Sequence, residues 1–142
     1  MIAHFDGFVP VLKLQEFPQR LWALQKRLQY YSQVVGRWII VPLGFVTDGC
    51  SVPRVPGVFL LAGDKAEEAG YLHDWLYTSQ MFPREVADQV LREAVIAMGY
   101  SELLANSMYE AVRLFGQSHW DLPNQPQPAS VSAQISSPAA TT

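Results

Sequence analysis

Residues 36–42 read Gly36-Arg37-Trp38-Ile39-Ile40-Val41-Pro42. Aromatic and β-branched side chains running from a glycine to a proline mark a short strand, because they pack well on a pleated surface and the flanking residues punctuate it. The stretch before it is ambiguous alone. Between Arg20 and Tyr31, Trp22, Leu24, Leu28 and Tyr30 fit a period of two, whereas Leu21, Leu24, Leu28 and Tyr31 fit a helix. Gly36 tips the balance, and a hairpin of residues 24–31 with residues 37–41 is expected.

Working outward from the hairpin, residues 42–63 carry three prolines (Pro42, Pro53, Pro56) and four glycines (Gly44, Gly49, Gly57, Gly63). That density excludes a regular element and predicts a long structured loop, the kind of segment that carries chemistry when a scaffold holds it. Helical signals follow. Asp64 with Glu67 forms a capping box before Ala69, Leu72, Leu76 and Tyr77, predicting a helix over 65–79. Pro83 suits the first turn of a second helix with Val86, Val90, Ala94 and Ala97 on one face, and Gly99 suits its left-handed stop. Ser101 caps a third with Leu104, Met108, Ala111 or Val112 and Phe115 on its apolar face, ending at Gly116. Strands, a Pro/Gly loop and three packed helices in that order describe an α+β domain with a small antiparallel sheet.

The chain has 142 residues, 49% hydrophobic and 16% charged, which gives one domain with a core and excludes a wholly disordered protein. The domain is expected over 1–121. Residues 122–142 hold Pro123, Pro126, Pro128 and Pro138 among Gln, Ser, Ala and Thr with no charge, and read as a tail. A net charge of -3 disfavours general binding of phosphate backbones, so no nucleic-acid partner is expected. A single cysteine, Cys50, excludes an intrachain disulfide and makes a Cys-rich zinc site impossible. Apolar runs such as 38–43 and 55–62 fall far short of the ~20 residues of a membrane-spanning helix. The start, Met-Ile-Ala-His-Phe-Asp, lacks the basic and apolar regions of a signal peptide, so a protein that stays in the cytoplasm after synthesis is expected.

Chemistry concentrates at His73-Asp74-Trp75-Leu76-Tyr77. His73 and Tyr77, four apart, share a helix face, with Asp74 on its flank. Asp88 on the next helix can reach His73 across an antiparallel pair and orient the imidazole as a general base. The plainer alternatives are a half-buried histidine with a structural carboxylate, and an Asp88 ion-paired with Arg84 or Arg92, each four residues away. The loop from Gly44 through Asp48 to Arg54 offers oxygen atoms and two glycines for an ion; its alternative is a local turn closed by Asp48 and Ser51. Cys50 reads as a small buried thiol. Tyr109 and Arg113 can brace Asp74 or Asp88, or form an ordinary surface pair. A zinc site from His73, an acid and His119 lacks the usual ligand spacing.

Taken together, Val41-Pro-x-Gly-Phe45-x-Thr-Asp48-x-x-Ser51-Val-Pro53-Arg54, His73-Asp-Trp-Leu-Tyr77, Ala87-Asp88, Met108-Tyr-x-Ala-Val-Arg113-x-Phe-Gly116 and Trp120 resemble a small domain of unknown function encoded by tailed bacteriophages and prophages. The resemblance spans 38–120 and implies a protein made in the bacterial host cytoplasm, incorporated in the virion and contacting other virion proteins in a tail, tail tip or connector. His-Asp-x-x-Tyr followed by an acid on the next helix is also similar to the centre of phospholipase A2 enzymes. That resemblance implies His73 as the water-activating base, Asp88 orienting it, Tyr77 bracing Asp88, and Ca2+ at Asp74 with help from the Asp48 loop. It departs from the enzymes in that the loop from Gly44 to Ser51 precedes His73 by more than twenty residues and is not especially glycine-dense, and in having no disulfide. Two functions follow as expectations: a metal-assisted hydrolase acting on host envelope lipid, and a non-catalytic virion component.

Overall fold

A computed structural model describes residues 1–16, 21–47 and 67–122. The chain forms β1 (His4–Phe5), β2 (Val11–Gln15), β3 (Leu21–Leu24), β4 (Leu28–Ser32), β5 (Arg37–Val41) and β6 (Val46–Thr47). Four helices follow: α1 (Glu67–Ser79), α2 (Arg84–Ala97), α3 (Glu102–Phe115) and α4 (Gln117–Asp121). The α+β class expected from the order of elements is therefore the one observed. Every strand pair is antiparallel, in two three-stranded sheets ordered β1-β4-β5 and β2-β3-β6.

The expected hairpin exists as β4 and β5, with Tyr30 opposite Ile39 and Leu28 opposite Val41. Gly36 closes the turn at φ +68°, a conformation that costs a side-chain-bearing residue about 1–2 kcal/mol. Residues 24–31 are not one strand, however. The chain leaves the second sheet at Leu24 and enters the first at Leu28, and the step between them is Gln25-Lys26-Arg27, all exposed. Three consecutive polar residues cannot alternate across a half-buried sheet, so the break falls there. Leu24 stays paired sideways, its N–H donating to Phe45 O at 3.0 Å and its carbonyl accepting from Gly44 N at 2.8 Å.

The start of the expected Pro/Gly loop is also more regular than its composition predicts. Val46–Thr47 forms β6 against Trp22 and Ala23 of β3. Residues 48–66, including Asp48, Cys50, Ser51 and the Asp64 cap, lie outside the described residues, as does the tail from 123 onward. The helices match their signals closely. Pro83 sits at the N-cap of α2, Gly99 follows its end at φ +94°, and Ser101 Oγ accepts the Leu104 N–H at 3.1 Å to cap α3. Gly116 ends α3 as expected, as its C-cap. It adopts a right-handed conformation, and α4 follows immediately.

β4 buries alternate residues, Leu28, Tyr30 and Ser32, and these meet a core built from Ile39, Val41, Leu72, Leu76, Val90, Leu91 and Met108. Phe45, fully buried, meets Trp75 of α1 edge to face at 5.3 Å between ring centroids. The core thus joins sheet and helices into one body, with α1, α2 and α3 side by side. Among the described residues no helix is long and apolar enough to cross a membrane.

Candidate functional site

Where α1, α2 and α3 meet, the apolar core contains a histidine and two aspartates, a residue seldom buried: His73 and Asp88, both with no exposure, and Asp74 at 7%. His73 shares a hydrogen bond between Nε2 and Asp88 Oδ1 at 2.8 Å, and Tyr77 OH donates to the same oxygen at 2.7 Å. The helical spacing of His73 and Tyr77 delivers both side chains to one carboxylate, with their rings 4.3 Å apart. Asp88 Oδ2 faces the other way. It accepts from Arg113 Nη1 of α3 at 2.8 Å and lies 3.5 Å from Arg84 Nη1.

Arg84 also donates to the carbonyls of Val112 and Arg113 at 2.9 and 3.4 Å, so it fixes the end of α3 as well as facing Asp88. Those carbonyls belong to the last helical turn, which carries partial negative charge and attracts a cation. One carboxylate thereby links three helices. Burial alone would raise the Asp88 pKa, but hydrogen bonds from His73, Tyr77 and Arg113 and attraction to His73 hold it below its ordinary value. Tyr77 is shifted upward, chiefly by burial and then by its bond to Asp88, so it remains a donor. Arg113 is held above its ordinary value by Asp88, although burial opposes its charge.

His73 Nδ1 is buried and has no hydrogen-bond partner among the described residues. In the neutral tautomer that donates Nε2–H to the Asp88 carboxylate, Nδ1 carries the lone pair that a general base requires. A His–Asp pair of this kind stabilises the imidazolium that forms when Nδ1 takes a proton, and His73 here has no solvent exposure.

Asp74 is turned away from this pair toward α4, where His119 Nε2 stands 3.5 Å from Asp74 Oδ1. His119 and Trp120 pack on Tyr77 at ring distances of 5.5 and 5.1 Å. Thus His73, Asp88 and Tyr77 come together as the sequence suggests, while Asp74 belongs to a neighbouring pair. Arg84 takes the role allowed for it beside Asp88; Arg92 instead bonds Asn106 Oδ1 at 2.6 Å. The sequence placed His119 only in a zinc alternative with an unnamed acid; its pairing with Asp74 was not legible, since the two are far apart along the chain and α4 is not marked by periodicity. Among the described residues no group of three or more His, Cys, Asp or Glu is gathered as for a metal ion. Asp48, the other residue expected at a calcium site, lies outside the described residues.

Gly116 holds this arrangement closed. A Cβ there would run into Val112 O and stand 2.6 Å from Tyr77 OH and 3.2 Å from Arg84 Nη1. Gly116→Ala is therefore expected to displace Tyr77 or Arg84 and cost about 1–3 kcal/mol, read as a lower urea midpoint at unchanged m-value.

The fold and site define a small α+β domain whose helices are joined by a buried His-Asp-Tyr-Arg network. The profile of DUF1353, a family of proteins of unknown function, matches residues 22–112, and the chain belongs to that family. The matched stretch runs from β3 into α3 and contains His73, Tyr77, Arg84 and Asp88; Arg113, Gly116 and α4 lie just beyond it. No curated protein and no solved structure matches the chain.

Proposed function

We propose that the chain is a hydrolase in which His73 is the general base and Asp88 its orienting partner, acting on an ester of the bacterial envelope with phospholipid as the substrate class. The observation that carries this reading is the division of labour on the imidazole: Nε2 bound to a buried carboxylate, Nδ1 buried and without a partner. In the reaction, water attacks the ester carbonyl as its proton passes to Nδ1, and the protonated imidazole then delivers that proton to the departing alkoxide. Asp88 stabilises the imidazolium, while Tyr77 and Arg113 keep the carboxylate ionised and aimed. The phospholipase A2 resemblance adds calcium at Asp74 with the Asp48 loop; no step here is routed through it. A bacteriophage particle is the proposed setting, supported by the resemblance of the spaced motifs to phage-encoded domains.

A second reading has its own observation. His73 is fully buried and Asp88 faces donors from His73, Tyr77, Arg113 and Arg84, the pattern of a network that locks helices in a non-catalytic virion component. The test uses purified full-length chain and phospholipid vesicles, with and without calcium, reading fatty-acid release. His73→Gln can retain a donor to Asp88 while removing the base. The expected result is a fall of roughly 10²–10⁴-fold with the melting temperature little changed. A wild-type protein that releases no fatty acid, or a His73→Gln protein as active as wild type, leaves the structural reading in place.

A further inference from the structure

Away from His73, an open cleft of about 550 Å³ lies between β1, the β4–β5 turn and the seam of α2 and α3. Its volume is in the range of sites for small organic ligands. One wall is apolar, formed by Ile2, Ala3, Val34 and Ile96. The polar lining includes Gln89, Arg92 and Tyr109. Gln89 and Tyr109 form no side-chain hydrogen bond with a described residue, and Arg92 uses only Nε, toward Asn106. Both terminal nitrogens of the guanidinium are uncommitted.

The acid in the same lining does not offset that cation by pairing with it. Glu93 Oε1 accepts from Tyr30 OH at 2.9 Å and Ser32 Oγ at 2.8 Å, and Oε2 from the N–H groups of Gln33 and Val34 at 3.0 and 3.1 Å. Its lone pairs are engaged by β4 and the following turn. The cleft therefore offers a guanidinium, an amide and a phenol beside an apolar wall. A guanidinium with two free nitrogens matches a carboxylate, and the apolar wall matches an alkyl chain.

We propose that this cleft binds a small alkyl monocarboxylate, its head group held by Arg92 with Gln89 and Tyr109 and its chain lying on Ile2, Val34 and Ile96. The site uses no residue of the His73 network and does not depend on the hydrolase reading.

Calorimetric titration of the full chain with sodium octanoate tests it, with octan-1-ol and octylammonium as probes that lack the charge or reverse it. Octanoate is expected to bind saturably with a Kd of about 1 mM or tighter, and Arg92→Gln to weaken it at least about tenfold. Ala97→Phe, at an exposed position on the cleft lining, is expected to block octanoate without unfolding, with circular dichroism confirming the helices. His73→Gln is expected to bind octanoate as wild type does, which separates failure here from failure of the proposed hydrolysis. Absence of saturable heat, equal binding by folded Arg92→Gln, or equal binding of octylammonium overturns the proposal.

Discussion

Asp88→Ala is expected to lower the unfolding free energy by about 3–5 kcal/mol, the cost of removing one member of a buried charged network and leaving the rest in place. His73 Nε2 and Tyr77 OH lose their shared acceptor, and Arg113 loses the carboxylate bonded to it at 2.8 Å. Against a typical stability of roughly 5–15 kcal/mol for a domain, that loss is large enough to unfold a sizeable fraction of the protein near its melting temperature. Urea denaturation of Asp88→Ala beside Asp88→Asn measures it. The asparagine keeps the shape but not the charge, so an intermediate loss is expected.

The pH dependence separates charge from packing. The Asp88 carboxyl in the folded protein is held below its ordinary value of 3.8. Its contribution is thus fully present above that pH and is lost as the pH falls through the lower folded value. The stability gap between wild type and Asp88→Asn should narrow as the pH drops below 3.8. A gap independent of pH down to acid unfolding would show that shape, and not ionisation, is what Asp88 contributes.

Glu93→Ala is the second substitution with a large expected effect, about 2–4 kcal/mol. Tyr30 and Ser32 have no solvent exposure, and both hydroxyls donate to Glu93 Oε1. Removing the carboxylate leaves two buried hydroxyls without that acceptor, and releases the Gln33 and Val34 N–H groups at the turn. Burial, reinforced by the Glu93 charge, shifts the Tyr30 pKa upward, so the phenol donates throughout the neutral range. Glu93→Gln keeps one acceptor and should recover part of the loss. Urea midpoints of the two variants provide the comparison, and hydrogen exchange at the N–H groups of Gln33 and Val34 reports whether the loss is local to the turn.

Much of the α+β architecture is legible in local chemistry. Ser101 is a capping hydroxyl, Gly36 and Gly99 are turn and stop glycines that take positive φ, and the aromatic and β-branched run from Arg37 to Val41 marks a strand; none of these needs a distant partner to be read. The β1, β2 and β6 strands were not legible. Two are only two residues long, too short for periodicity, and Leu12, Lys13 and Leu14 of β2 are exposed in succession with a register shift between Lys13 and Gln15. Such segments become strands because a neighbour offers an edge to pair with.

The sequence by itself determined that His73 and Tyr77 share a helix face, that Asp88 stands on the next helix, and that turn and cap residues separate the elements, because these follow from fixed backbone periods and local hydrogen bonds. Tertiary structure alone decided that Arg113, and not Arg92, bonds Asp88, that Asp74 faces His119, and that Glu93 of α2 closes the turn after β4. The physical reason is that a charged side chain can accept several partners at helical spacing. Which one it takes depends on how helices from distant parts of the chain pack, and on which partner loses its water in the process.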